Sequence, residues 1–201
     1  NVVYAEEYKL NLGISPLRKT YIRENNQLEV ENGSIGLSVG AEVLWGKDFK
    51  YGLGAELKNK INHKESFFNN QDGDYYSQPV YGTVSYKLPL DFYVLGRLGI
   101  VFNDGDLVTN VGKYAGLGIG KKIGNYDVSL LYEGSELKKS KDVLVFNKDV
   151  SHSGLFFDGA LDEISLKVGY TFGKGNKTVI QEKIVEKIVP VEKIVTVEKI
   201  V

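Results

Sequence analysis

Hydrophobic and polar positions alternate along this chain in short, separated runs. Between Ser34 and Trp45, Ile35, Leu37, Val39, Ala41, Val43 and Trp45 share one parity, while Ser34, Gly36, Ser38, Gly40 and Glu42 hold the other. Side chains of a strand point to opposite faces with period two, so these sets face opposite sides of a sheet, whereas a helix would scatter the apolar set around its surface. Seven further runs read the same way. Tyr8, Leu10, Leu12 and Ile14 oppose Lys9, Asn11, Gly13 and Ser15; Phe49, Tyr51, Leu53, Ala55 and Leu57 oppose Lys50, Gly52, Gly54, Glu56 and Lys58. The apolar stripes continue as Val80, Val84, Tyr86 and Leu88, interrupted by Gly82; Phe92, Val94, Leu98, Ile100 and Phe102; Ala115, Leu117, Ile119 and Ile123; Tyr126, Val128, Leu130 and Tyr132; and Ile164, Leu166, Val168, Tyr170 and Phe172. Leu44, Leu95, Val101 and Leu131 slip onto the small or polar face, and Lys121 onto the apolar one.

The connections alternate too. Gly46-Lys47-Asp48, Pro89-Leu90-Asp91 and Gly124-Asn125 are hairpin turns by length and composition. The remaining connections, 19–33, 60–78, 103–113 and 135–162, are long. Eight alternating segments with alternately short and long connections predict an all-β fold: an eight-stranded antiparallel up-and-down transmembrane β-barrel in which the eighth strand pairs the first. Barrels of the outer membrane turn tightly on the periplasmic side and loop out externally, which would put both termini in the periplasm.

Periodicity leaves open which face is outside. A soluble lipocalin-like barrel would turn the apolar stripe inward around a ligand. Against it, the other face carries Gly13, Gly36, Gly40, Gly52, Gly54, Gly99, Gly116, Gly118, Gly120 and Gly169, a set suited to a narrow lumen rather than a solvated exterior. Tyr8, Trp45, Phe49, Tyr86, Phe92, Tyr126, Tyr170 and Phe172 gather on the apolar face near one end, as an interfacial girdle requires. Each run also has about the 9–11 residues that a tilted strand needs to cross a bilayer. Replacing Leu53 or Leu117 with Arg is then expected to impair insertion, and Gly54→Ser to be milder.

Composition narrows the rest. The 201-residue chain has net charge -1, which gives no hint of nucleic-acid binding, and no cysteine, which excludes disulfides and thiolate metal sites. No uninterrupted apolar run reaches the ~18 residues of a transmembrane helix candidate, and a closed barrel is the other way to satisfy backbone hydrogen bonds in lipid. Val3-Tyr4-Ala5 before Glu6-Glu7 resembles the small-residue end of a secretory signal peptide, and the chain contains no methionine. Residues 1–5 therefore read as a signal-peptide remnant, and 6–172 as the barrel.

By parity the lumen holds Lys9, Glu42, Lys50, Glu56, Arg97, Lys122, Asp127, Glu133 and Lys167. Glu56, Arg97 and Lys167 fall near mid-height, and Lys122 and Asp127 oppose each other across the Gly124-Asn125 hairpin. An eight-stranded barrel is just wide enough to be filled by side chains, so a salt-bridged, poorly conducting interior is expected. No catalytic, cofactor-binding or metal site is expected. His63 and His152 fall in long loops with Asp72, Asp74, Asp149 and Asp158 scattered around them, without the defined pairs an active site needs. Asp72-Gly73-Asp74 and Asp104-Gly105-Asp106 complete no EF-hand pattern and read as turns.

The pattern over residues 6–172 resembles the small barrels of the OmpA/OmpX type, most of all the barrel domain of OmpA-family proteins. The most specific piece is Gly169-Tyr170-Thr171-Phe172. The resemblance implies that Ile164, Leu166, Val168, Tyr170 and Phe172 form the last-strand signal read by the barrel-assembly machinery, here at an internal position. Residues 173–201 change character: after Gly173-Lys174-Gly175-Asn176, Glu-Lys-Ile-Val recurs at 182–185, 186–189, 192–195 and 198–201. These spacings fit no heptad, and Pro190 interrupts a helix. The segment reads as a low-complexity periplasmic spacer, about 90–100 Å if stretched at ~3.3 Å per residue. The resemblance implies a peptidoglycan-binding domain beyond it, hence a structural, envelope-anchoring role in the bacterial outer membrane. The alternative is a surface adhesin or ligand-binding protein acting through external loops. Val143, Leu144, Val145, Phe146, Leu155, Phe156 and Phe157 give the last loop more apolar surface than solvation needs. A small pore ranks third.

Overall fold

The computed structural model describes residues 6–24, 27–62, 74–105, 110–137 and 160–173. The strands are β1 (Glu6–Glu24), β2 (Gln27–Asn32), β3 (Gly36–Gly46), β4 (Phe49–Lys58), β5 (Tyr75–Lys87), β6 (Phe92–Gly105), β7 (Asn110–Ile123), β8 (Tyr126–Glu136) and β9 (Ala160–Gly173). They lie in the order β2-β1-β3-β4-β5-β6-β7-β8-β9, and β1 also pairs β9, which closes the sheet. Every pairing is antiparallel. β3 pairs the first half of β1, Glu6–Ser15, and β2 the second, Lys19–Glu24. The two short strands are thus halves of one stave, split at Gly33-Ser34-Ile35, and the closed barrel has eight staves.

The tight turns lie where expected. Gly46 (φ 107°) and Gly124 (φ 63°) adopt the left-handed backbone that these short hairpins need. Between β5 and β6, Leu90 and Asp91 both sit at φ 60° without the freedom of glycine. The long connections are shorter than the sequence implies, because strands continue into them. β1 and β2 occupy most of 19–33, β5 starts at Tyr75, β6 runs to Gly105 and β7 begins at Asn110. Extended pairing satisfies backbone groups that an irregular loop would leave to water.

One irregularity re-aims side chains. The β1–β9 register shifts between Ile14 and Leu17, so Pro16 and Leu17 both face outward and the parity of β1 flips beyond them. Proline cannot donate a ladder hydrogen bond, which suits it to a bulge. After the flip Arg18 and Thr20 point inward, each nearly inaccessible.

The apolar stripe is on the outside. Leu12, Leu53, Leu98 and Leu117 are 65%, 63%, 73% and 58% exposed, on a protein whose interior buries Lys, Arg and Glu. That inverts the usual distribution for a water-soluble domain and matches a barrel whose solvent is lipid. The aromatic girdle surrounds the tight-turn end: Tyr8 stacks on Phe172 at 5.9 Å, Tyr126 meets Tyr170 at 5.0 Å and Trp45 meets Tyr51 at 6.0 Å. The parity slips also resolve. Leu44, Leu95, Val101 and Leu131 are buried in the lumen, and Lys121 reaches over the Phe92 ring, 5.1 Å from its centroid. Residues 1–5 and 174–201, read as signal remnant and spacer, lie outside the described residues.

Candidate functional site

The interior of the barrel is a stack of layers. At mid-height β3, β4, β6, β8 and β9 each contribute an inward charge: Glu42, Glu56, Arg97, Glu133 and Lys167. Lys167 Nζ sits 2.7 and 2.6 Å from the two Glu56 oxygens and 2.9 Å from Glu133. The Arg97 guanidinium reaches Glu42 at 2.6 Å, Glu133 at 3.3 Å and Glu56 at 3.4 Å. Tyr81 donates to Glu42 at 3.0 Å, Tyr114 donates to Glu133, and the Arg97 guanidinium lies 4.4 Å above the Tyr81 ring. Three carboxylates and two cations thus share one water-poor layer, where each charge is satisfied only through the others.

Toward the long-connection end, Glu163 bridges two cations. It accepts from Lys58 and from Arg18 Nε, the latter at 2.6 Å. Ser15 and Ser165 hydroxyls meet at 2.7 Å, and Thr20 bonds the Tyr75 hydroxyl at 2.9 Å. Above these lies a small apolar cluster of Ile61, Tyr75, Leu137 and Leu161, all nearly inaccessible. Toward the tight turns, Lys9 pairs Asp127 at 2.8 Å, and Tyr93 donates to the same carboxylate at 2.7 Å. Lys50 pairs Glu7 at 2.5 Å nearer the mouth. Here the lumen opens into a vestibule of about 290 Å³ whose inner end is Arg97 and Glu42.

Among the described residues of the inward parity the buried cations Lys9, Arg18, Lys58, Arg97 and Lys167 equal in number the buried anions Glu42, Glu56, Asp127, Glu133 and Glu163, while Asp162, also buried, is on the other parity and accepts from Tyr132. Balanced, interdigitated charge of this kind can close a narrow barrel without an apolar core. The chemistry of the site is occlusion: a plug of ion pairs under an apolar lid, with a shallow cup facing the tight-turn end.

The structure brings Glu56, Arg97 and Lys167 together as the parity implied, and adds Glu42 and Glu133 to them. It does not pair Lys122 with Asp127. The two are register partners, but Lys122 lies exposed at the vestibule rim while Asp127 turns to Lys9 and Tyr93. Gly169 is the reason. It separates β1 from β8, and a Cβ there would collide with Lys9 and come within 2.7 Å of Asp127 Oδ2, so its absence lets those side chains meet across β9.

Several members escaped sequence reading. Arg18 was hidden by the bulge, which reverses its parity. Lys58 was on the inward face without being assigned to a charge layer, and Glu163 continues the parity of Lys167 beside a loop boundary. Tyr81, Tyr93 and Tyr114 lie on the inward parity, where small partners could have betrayed them: Gly54 faces Tyr81, and Gly120 faces Tyr93. Gly54 also corrects an expectation. A Cβ there would stand 2.7 Å from Tyr81 Cε2 and 2.8 Å from Glu42 Cγ, so Gly54→Ser is not a mild change. His63, His152, Asp72, Asp149, Asp158 and the apolar residues 143–157 of the last loop lie outside the described residues.

No family model matches the chain, and no curated protein matches it in sequence. Solved structures do match. Ail, the attachment invasion locus protein of Yersinia pestis, superposes with TM-score 0.54 at 14% identity, covering 85% of this chain and all (100%) of that one. Neisserial surface protein A superposes with TM-score 0.53 at 13% identity, covering 83% of this chain and 97% of that one. Ail in complex with the heparin analogue sucrose octasulfate gives TM-score 0.50 at 16% identity, over 84% and 99% of the two chains. With its closed eight-stave sheet, outward apolar stripe and filled lumen, this chain has the fold of the small outer-membrane β-barrels.

Proposed function

We propose that this protein is an integral outer-membrane barrel with a structural, envelope-anchoring role, oriented with its tight turns toward the periplasm. The observation that carries the reading is the filled lumen: ion pairs and an apolar lid occupy the space a solute would need, which leaves the barrel's wall and its flanking segments as the working parts. β1 and β9 meet side by side at the tight-turn end, where Glu7 opposes Gly173. The Glu-Lys-Ile-Val spacer would therefore leave toward the periplasm, where a tethered domain could hold peptidoglycan. The outward row Leu166, Val168, Tyr170 and Phe172 is exposed on the last strand, in keeping with a signal for the assembly machinery. The test is sedimentation of purified peptidoglycan sacculi with the protein as encoded in its genome. Cosedimentation that is lost when the region after residue 173 is removed supports anchoring; its absence refutes that role.

A second reading is a surface-binding protein. The extension of β1 past the bulge, paired with β2, supplies a wall of strands at the long-connection end. A structurally similar barrel bears the name attachment invasion locus protein. Binding of intact expressing cells to host cells or to sulfated glycans, abolished by trimming 138–159, would favour this reading over anchoring.

A further inference from the structure

Two of the leucines that break the polar inward face stand together in the vestibule at the tight-turn end. Leu44 on β3 and Leu95 on β6 line it with Phe92 and Tyr93, and Arg97 and Glu42 form its inner end. Its volume of about 290 Å³ lies at the lower edge of the ~300–1,000 Å³ of ordinary ligand sites. The vestibule thus has an apolar wall, a charged floor and an open mouth.

Most of its charges offset one another. Lys9 meets Asp127 at 2.8 Å, Lys50 meets Glu7 at 2.5 Å, Lys87 meets Asp91 at 3.1 Å, and Lys47 is followed by Asp48 in the same turn. Two donors are left over. At the rim Lys122 has lost its register partner Asp127 to Lys9, and it makes no ion pair among the described residues. At the floor the Arg97 guanidinium gives Nη2 to Glu42 at 2.6 Å, while Nε, on the same edge of the plane, is buried without an acceptor. A buried charged donor left unmade is costly, and it calls for a specific explanation. The rim is also strained. Leu90 and Asp91 hold φ 60° in the turn that sets Asp91 and Phe92 at the mouth, and such strain in non-glycine residues clusters at ligand clamps.

We infer that the vestibule binds a small, free monocarboxylic acid that carries an apolar side group and a carbonyl or hydroxyl oxygen. The oxygen accepts from Arg97 Nε at the floor, the side group packs on Leu44 and Leu95, and the carboxylate pairs with Lys122 at the mouth. A single negative charge matches the one unpaired cation of the rim. Entry with the carboxylate first would set it against Glu42 and Asp127, so a peptide C-terminus, which can enter only that way, is unsuited. On the orientation proposed above the vestibule faces the periplasm. An inverted barrel would change the ligand's compartment and leave the site as it is.

Methyl NMR of the full chain, leucine-labelled and held in nanodiscs, provides the test. The probes are N-acetyl-leucine and its uncharged counterpart N-acetyl-leucinamide. The acid should shift the Leu44 and Leu95 methyls saturably while the lipid-facing Leu53 and Leu117 stay unmoved, and the amide should need at least several-fold higher concentration. Lys122→Gln, at an exposed and unpaired position, should erase that difference while the barrel still folds. Ser85→Trp, which fills the vestibule from its half-buried wall, should abolish the shifts. No saturable shift at Leu44 and Leu95, an equal response to acid and amide, or an unchanged preference in Lys122→Gln would overturn the site. A folded Ser85→Trp that still responds would do the same. Shifts of Leu53 and Leu117 at the same concentrations would also overturn it, assigning the effect to partition into lipid.

Discussion

Arg97 is the residue on which the plug depends most. Three carboxylates and a tyrosine ring surround its guanidinium, and deletion would leave Glu42 without its closest cation partner. Removing one member of a buried ion cluster costs about 3–5 kcal/mol, mostly because the remaining charges stay buried. Arg97→Ala should therefore lower the unfolding free energy by that order, measured by urea titration in lipid vesicles. Arg97→Lys should recover only part, since a compact ammonium lacks the planar fork with which the guanidinium spans Glu42, Glu56 and Glu133 and lies over the Tyr81 ring. Gly36 offers a steric counterpart. A Cβ there would stand 2.6 Å from Arg18 Nη2, so Gly36→Ala should push Arg18 off Glu163 and destabilise the barrel by about 1–3 kcal/mol in the same assay.

At the scale of the strand, the two faces answer to different solvents. Leu53 and Leu117 lie exposed in the middle of β4 and β7, so Leu53→Arg or Leu117→Arg should cost about 2–4 kcal/mol of folding into bilayers if they sit at the midplane. The same vesicle-folding titration measures it, and a loss under 1 kcal/mol would place these leucines away from the lipid core. Period-two alternation made all eight staves legible, because one face must meet lipid and the other a packed lumen. Two kinds of information were not. The bulge at Pro16 and Leu17 shifts parity by one residue, and nothing before it in the alternation announces that Arg18 will turn inward. The partner of Asp127 depends on contact across three strands, β8, β9 and β1, through the gap at Gly169, whereas sequence proximity offered only the hairpin partner Lys122. The ionic layer at mid-height was legible because Glu56, Arg97 and Lys167 lie at matching distances from their turns.

For the whole molecule, the layers make the barrel one-sided: a cup at the tight-turn end, then ion pairs, then the lid of Ile61, Tyr75, Leu137 and Leu161. The absence of native cysteine allows this to be mapped cleanly with single thiols. Thr83→Cys and Ser129→Cys line the cup and should react with a small charged thiol reagent. Ser165→Cys, sealed between the Lys167 and Glu163 ion-pair layers beneath the lid, should stay unreactive until the protein unfolds. Conduction tests the closed lumen most directly. Planar-bilayer recordings of the unaltered chain should show no steady single-channel current, with Arg97→Ala admitting brief, small openings. A large, steady conductance from the unaltered chain would contradict the plug and make the barrel a pore.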